Sequence, residues 1–243
     1  MSYQFSSRVR YSEIGPDTEL TLPALLNYYQ DCTTFQSASI GHDIYELASR
    51  HRAWVLNSWQ VEIVRYPSVG EEIITTTIPY DLHGFLGLRN FVMETAQGER
   101  LSWANSIWSN LSTLTGLPER LGEEDLSGYV LDEKLDMDYK PRKIALPDEW
   151  EAYPSFAIQR HHLDTHRHVN NCQYVRMAED YLPEGCKVRG LRVEYKKQAL
   201  LGDVFYPLIH KEDGETMVIF NTCDIKPGEK PVPYAVVEAR YEM

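Results

Sequence analysis

The chain is short of cysteine, of positive charge and of long apolar runs, and each shortage closes off a class of function. Four cysteines (Cys32, Cys172, Cys186, Cys223) are scattered over 243 residues with no Cys-x-x-Cys. Neither a disulfide framework nor a zinc ribbon is therefore indicated. Twenty-four Lys+Arg against 36 Asp+Glu give a net charge of −12, which argues against a nucleic-acid partner, because phosphate contacts need a basic face. No apolar run approaches the ~18–20 residues needed to cross a bilayer. The opening residues, Met1-Ser-Tyr-Gln-Phe-Ser-Ser-Arg8, have no apolar core of a signal peptide. The expectation is a reduced, soluble, cytoplasmic protein with no membrane partner. What is present is ordinary for a folded chain: 43% hydrophobic, 25% charged and 12% aromatic residues. The length allows one large domain or two of roughly 100–150 residues.

Internal similarity favours two halves. Residues 10–20 set an irregular turn before a helical stretch from Pro23 to about Ser37, and residues 159–169 do the same before one from about Asn170 to Tyr181. Aligned without gaps, Ile14 falls on Leu163, Leu20 on Val169, Leu26 on Val175 and Asp31 on Asp180. A second pair sets Trp59-Gln-Val-Glu62 through Gly70-Glu71 over Leu191-Arg-Val-Glu194 through Gly202-Asp203. The first half also holds a second short helix, Asp43 to Arg50. Period-two alternation or β-branched runs mark strands at 59–63, 73–78, 101–108, 191–195, 204–209, 217–222 and 234–241. Pro23 near a first turn and Asn170-Asn171 at a cap position are helix starts. Tyr174, Ala178 and Tyr181 give the second helix an apolar stripe.

Residues 117–154 change character, with Pro118, Pro141, Pro147 and Pro154 and eight acids between Glu119 and Asp138. This reads as a long, partly helical, solvated connection. The expected organisation is an N-terminal half (1–116) left to shape a binding cavity, a linker (117–154) and a C-terminal half (155–243) that carries the chemistry. The expected fold class is α+β, a tandem double hot-dog, each half an antiparallel sheet wrapped around a long helix.

The densest polar constellation is His161-His162-Leu-Asp164-Thr-His166-Arg167-His168-Val-Asn170-Asn171, where an irregular turn meets a helix start. Backbone N–H groups there are unpaired and aligned with the positive end of the helix dipole, which suits an oxygen that turns negative during reaction. A carboxylate and an imidazole four residues apart across one turn can supply base and acid. The aligned turn Gly15-Pro-Asp17-Thr-Glu19 has no Asp-x-x-x-His, so chemistry is expected in the second half alone.

Asp164-Thr-His-Arg-His168-Val-Asn-Asn171 resembles the Asp-x-Asn-x-His-Val-Asn-Asn turn of acyl-carrier-protein thioesterases. Glu194-Tyr-Lys-Lys-Gln-Ala-Leu-Leu-Gly-Asp203 is similar to the second signature of that family's bacterial members. The likeness extends to the duplicated layout and covers nearly the whole chain. It implies hydrolysis of a fatty acyl thioester, a tunnel for the acyl chain, acyl carrier protein as partner, and no metal or organic cofactor. It implies catalytic roles for Asp164 and His168, and places His166 and Gln198 at family positions usually held by Asn and Glu. Gln198 has no useful basicity but can hold a water or the thioester. Ala199 stands where plant members have cysteine, so no cysteine nucleophile is available there. On this reading Asp164 either activates water or attacks the thioester directly, amides at Asn170 and Asn171 hold the oxyanion, and His168 positions the acid or protonates the thiolate.

Plainer readings stand beside these. Asp164 can be a turn residue satisfying local amides, His168 a buried histidine, Cys172 a packing residue and Glu194, whose twin is Glu62, a structural acid. His161 and His162 are expected as strand residues facing opposite sides. Trp54, Trp59, Phe85, Leu88, Phe91, Trp103 and Trp108 are core by default. Residues 157–200 hold eight Lys/Arg against five Asp/Glu, a local +3 in a chain otherwise at −15. Arg167, Arg189, Arg192, Lys196 and Lys197 are therefore the candidates for docking an acidic carrier. Rival functions are an acyl-CoA thioesterase, a hot-dog hydratase or dehydratase, and a non-catalytic acyl-thioester binding protein. The duplicated chain is expected as a monomeric pseudo-dimer or a homodimer.

Overall fold

The computed structural model describes residues 2–226 and 228–243, which divide into two compact units, Met1–Lys140 and Pro141–Met243. In the first unit the long helix α1 (Leu22–Ser39) opens where the Thr21 side chain accepts the Ala24 amide and proline occupies the first turn. Leu25, Leu26, Tyr29 and Cys32 follow at helical spacing and are fully buried. A five-stranded antiparallel sheet packs against that stripe. It is built from β1 (Tyr3–Arg8), β2 (Arg52–Ile63), β3 (Glu72–His83), β4 (Leu86–Thr95) and β5 (Arg100–Ser112), in the order β1-β3-β4-β5-β2. The Tyr29 ring meets Phe91 of β4 at 5.0 Å and Trp59 of β2 at 6.0 Å, and its hydroxyl pairs with Ser102 of β5 at 2.7 Å. Two short helices complete the unit. α2 (Ile44–Ser49) is capped by the Asp43 side chain, and α3 (Glu123–Leu126) lies in the connection after β5.

The second unit repeats this plan with shorter pieces. Two two-residue strands, β6 (Glu151–Ala152) and β7 (Phe156–Ala157), precede the helix α4 (Asn171–Glu179). β8 (Lys187–Tyr195), β9 (Val204–Glu212), β10 (Glu215–Asn221) and β11 (Pro233–Glu242) follow. The strand order is β8-β11-β10-β9-β6, with β7 also on β9. On the helix side, Tyr174 of α4, Phe205, Phe220 and Tyr234 form a ring cluster with centroids 5.1–6.0 Å apart. On the other side, Leu208, Met217, Ile219 and Val236 bury Ile144, with Leu146 and Trp150 against them. Both units are therefore hot-dogs, each a helix held by an antiparallel sheet.

The duplication reaches single hydrogen bonds. Ser7 and Arg8 pair with Ile73 and Glu72 as Phe156 and Ala157 pair with Phe205 and Val204. The Gly70 amide donates to Val9 as that of Gly202 donates to Ile158, both glycines at positive φ (80° and 85°). Such left-handed positions favour glycine, which is why the Gly-acid pair recurs.

Several expectations need correction. His161 and His162 are not strand residues: Arg160–His162 is a 3-10 turn in which the His162 amide donates to Gln159 and the Gln159 amide to His162 Nδ1. Phe85 is 39% exposed rather than core, because it sits at the tip of the β3–β4 hairpin. The connection is less solvated than its acidity implies. Asn90 of β4 accepts the Leu135 amide and the Tyr139 hydroxyl, and the Gln60 side chain clamps Asp138 and Lys140. α4 ends at Glu179 rather than at about Tyr181, with Asp180 as its C-cap. Among the described residues no helix is long and apolar enough to cross a membrane.

Candidate active site

The turn ahead of α4 places the predicted acid and imidazole on one closed loop. Leu163 bridges to Val169, the Asp164 amide donates to the His168 carbonyl at 2.8 Å, and the Arg167 amide donates back to the Asp164 carbonyl at 3.1 Å. Arg167 takes the left-handed conformation (φ 63°) that this closure requires. Asp164 Oδ1 accepts the amides of His166 (2.8 Å) and His168 (3.1 Å). That fixes the carboxylate over the turn and leaves Oδ2 without a hydrogen bond from it. Asp164 and His168 are half-buried, while His166 and Arg167 are exposed.

The helix start is built as its sequence suggests. Asn170 is the N-cap, its Oδ1 accepting the Cys172 amide at 2.9 Å while its carbonyl takes the Gln173 amide. The turn supplies no acceptor to the amide of Asn171, the first helical residue, whose N–H is one of the orphan donors of a helix terminus. The Asn171 carbonyl accepts the hydroxyl of Tyr195, a half-buried tyrosine of β8.

Gln198 arrives from the other signature. The Val169 amide donates to Ala199, and His168 bridges to Leu200, so the backbone on either side of Gln198 lies along the His168 leg of the turn. The Gln198 side chain itself is exposed. Two tyrosines that sequence reasoning took for apolar stripe or strand hold this loop. The backbone of Ala199 hydrogen-bonds the hydroxyl of buried Tyr174, and Tyr234 donates to Asp203, whose Oδ2 accepts the Leu200 amide. Burial pushes both phenols above their usual range, with the carboxylates of Asp203 and, for Tyr174, Asp164 adding to the effect. The one available signal was general: a buried tyrosine hydroxyl needs a partner.

The neighbouring side chains are dispersed among other duties. His162, whose pKa is drawn down by burial and by His161, is an acceptor within its turn. Glu194 is 5% exposed and takes the Ile144 amide and the Lys196 ammonium, a structural role. Of the docking candidates, Arg189 pairs with Glu242 (2.9 Å), Arg192 with Glu238 (2.8 Å) and Lys196 with Glu194 (2.8 Å). Lys197 lies 5.0 Å over the Tyr234 ring, and Arg167 has no acid partner among the described residues. Among those residues no group of three His, Cys, Asp or Glu is arranged to hold a metal ion.

The twin turn supplies the comparison. The Gly15 amide donates to Glu19 at 2.9 Å, the Thr18 amide to Gly15 at 3.0 Å, and Thr18 is left-handed (φ 65°), with Thr21 as N-cap. The same backbone closes with Gly15 where the second turn has Asp164 and Glu19 where it has His168.

Comparison with known proteins agrees with this architecture. The chain is 24% identical over 215 residues to an acyl-[acyl-carrier-protein] hydrolase of Cuphea viscosissima, covering 82% of this chain and 52% of that protein. It is also 24% identical over 208 residues to a palmitoyl-acyl carrier protein thioesterase of Arabidopsis thaliana, covering 78% and 50%. The chain thus spans about half the length of these curated relatives. Its fold superposes on the crystal structure of an acyl-ACP thioesterase from Bacteroides thetaiotaomicron with a TM-score of 0.85 at 18% identity, covering 99% and 98% of the two chains. The family model of the acyl-ACP thioesterase N-terminal domain matches residues 1–129 and that of the C-terminal domain residues 147–234. With both models met in order, one on each hot-dog, the chain belongs to the acyl-ACP thioesterase family.

Proposed function

We infer that the chain hydrolyses the thioester of a fatty acyl group borne on acyl carrier protein, releasing free fatty acid and the carrier thiol. The observation that carries this reading is the pair of twin turns. The backbone closes the same way over Gly15 and Glu19, with Asp17 Oδ1 taking the Glu19 amide as Asp164 Oδ1 takes that of His168, so closure does not require Asp164 and His168 at these positions, and Asp164 Oδ2 is left for chemistry. The N-terminal unit, with its longer helix and aromatic interior, receives the acyl chain.

In the proposed reaction Asp164 Oδ2 takes a proton from water as its oxygen bonds to the thioester carbonyl carbon. The carbonyl oxygen becomes negative opposite the amide of Asn171 at the start of α4, where the helix dipole favours it. The C–S bond then breaks, and the thiolate leaves with a proton returned by Asp164 or His168. His168 orients the water, His166 stands at the rim as a further donor, and Gln198 holds the thioester or water by its amide. No metal or cofactor has a part in these steps. Arg167 and Lys197 meet the acidic carrier, the other three cations of the candidate patch being paired to acids of the sheet.

The test is thiol release from one acyl group on acyl carrier protein and on coenzyme A, across chain lengths. Faster release from the carrier protein is expected. Faster release from coenzyme A would make the chain an acyl-CoA thioesterase, and binding without thiol release over hours would make it a non-catalytic acyl-thioester binder.

A further inference from the structure

Within each unit the turn before the helix is tied to the loop after a strand, and the two units make that tie with different side chains. In the first, the Leu20 amide donates to the Pro67 carbonyl at 2.9 Å and Glu19 bridges to Ser68. In the second, the Val169 amide donates to the Ala199 carbonyl at 2.9 Å and His168 bridges to Leu200. Pro67 has no N–H to satisfy, and the helix residue that falls on Tyr174 in the alignment is Leu25, fully buried and apolar. Ala199 does have an N–H, is fully buried, and its carbonyl is already taken by Val169. That N–H meets the hydroxyl of Tyr174, a residue of α4 only 3% exposed.

A second polar contact follows the same rule. The Tyr174 ring lies 5.6 Å from that of Tyr195, whose hydroxyl donates to the Asn171 carbonyl at 3.0 Å. The residues that fall on Tyr195 and Asn171 in the first unit are Ile63 and Leu22, both buried and apolar. The first unit therefore reaches the same backbone closure with no hydroxyl at either place. A buried hydroxyl must be matched or it costs stability, so an apolar residue is the less demanding choice for the fold. Both hydroxyls of the second unit stand where the proposed catalytic turn and the start of α4 meet β8 and the loop that follows it.

From this difference we propose that Tyr174 is a positioning residue for thioester cleavage: by holding the Ala199 amide it fixes the backbone of Gln198 against the start of α4. The Ala199 N–H and the Gln198 carbonyl belong to one planar peptide unit, and the carbonyl of the next unit, that of Ala199 itself, is held by Val169. Two successive peptides are thus pinned to the helix and its turn. The direction in which the exposed Gln198 side chain leaves the backbone is set by them, and Leu200 carries the same constraint into its bridge with His168. The proposal rests on the reading that this turn cleaves an acyl thioester, and adds to it the residue that aligns Gln198 with the His168 leg.

The test is Tyr174→Phe, which keeps the ring and loses the hydroxyl, in steady-state thiol release from acyl-acyl carrier protein. Its kcat is expected to fall at least about tenfold, the scale of a small misplacement near reacting groups, with KM close to that of the wild type. Tyr241→Phe is the control. It too loses a hydroxyl hydrogen bond of this unit, with Thr216 at 3.2 Å, but toward the far end of β11 from Ala235, the strand partner of Tyr195. It is expected to lower the Tm and leave kcat unchanged. Adding Ala199→Pro to Tyr174→Phe removes the N–H that the single change leaves bare, as Pro67 does in the first unit. The Tm is then expected to recover toward the wild type while kcat stays low. Wild-type kcat in Tyr174→Phe, an equal loss in Tyr241→Phe, or recovery of kcat along with Tm in the double variant overturns the proposal and leaves the functional reading standing. No thiol release by the wild type overturns that reading and the proposal with it. Should the double variant not fold, the two single variants decide.

Discussion

Asp164 and Gly15 occupy the same place in two turns of one shape, so the carboxylate's two jobs can be separated by substitution. Asp164→Asn keeps an Oδ1 to accept the His166 and His168 amides but loses the basic oxygen. It is expected to melt with the wild type while turnover on acyl carrier protein falls at least ~100-fold. Asp164→Ala loses both functions and should cost about 1 kcal/mol of stability in addition. Near-normal turnover in Asp164→Asn and in His168→Ala would remove both from the chemistry. A second residue-scale effect concerns Glu179, the last residue of α4. Burial raises its carboxyl to about 7, with Asp180 adding to the rise and Arg176 opposing it. The folded chain therefore binds this proton more tightly than the unfolded chain. Glu179's stabilising contribution is complete below pH ~4.5 and is lost as the pH rises through about 7, by on the order of 1–3 kcal/mol. Denaturant titrations at pH 5 and pH 8 should show that loss, and Glu179→Gln should flatten it; an unchanged slope in the variant would assign the pH dependence to another group.

At the scale of elements, the two helix starts predict paired outcomes. Thr21 and Asn170 each cap their helix through a side-chain oxygen, so Thr21→Ala and Asn170→Ala are each expected to cost about 1 kcal/mol in denaturant unfolding. Only Asn170→Ala should also lower turnover, since its helix carries the proposed oxyanion donors. Equal loss of turnover in both variants would point to global softening instead. These starts were legible in the sequence because a cap, its turn and the first apolar stripe are local. β8 and β11 were legible in part, through alternation. β4 was not, since Arg89, Asn90, Phe91, Val92 and Met93 are all buried and the strand has no polar face to alternate with. The pinning of the acidic connection was hidden for another reason. Leu135 and Tyr139 meet Asn90 across 45 and 49 residues of chain, a pairing that no local pattern encodes. The site divides likewise: Asp164 and His168 stand four residues apart in one motif, whereas Tyr195 reaches Asn171 across 24 residues, and Tyr174 reads as one more apolar helix position.

For the molecule as a whole, the relevant quantity is a charge distribution rather than a contact. A chain of net charge −12 repels an acidic carrier at long range, so on the proposed reading productive encounter depends on the cationic stretch 157–200. Within it, the pairing of Arg189, Arg192 and Lys196 to sheet acids neutralises cations that the sequence alone counts as available. What remains near the proposed catalytic turn is Arg167, exposed at its tip, and Lys197 beside Tyr234. Few and exposed, these cations act through a field that is screened within about 10 Å at 0.1 M salt. Raising salt from 50 to 300 mM should therefore lower kcat/KM on acyl carrier protein several-fold while leaving a short neutral thioester nearly unaffected. Arg167→Gly, which removes the charge and suits the left-handed backbone, should raise KM for the carrier substrate and reduce the salt response. Arg189→Gln, whose guanidinium is already spent on Glu242, should change neither. If salt slows both substrates alike, or Arg189→Gln matches Arg167→Gly, the carrier is met by some other face of the molecule.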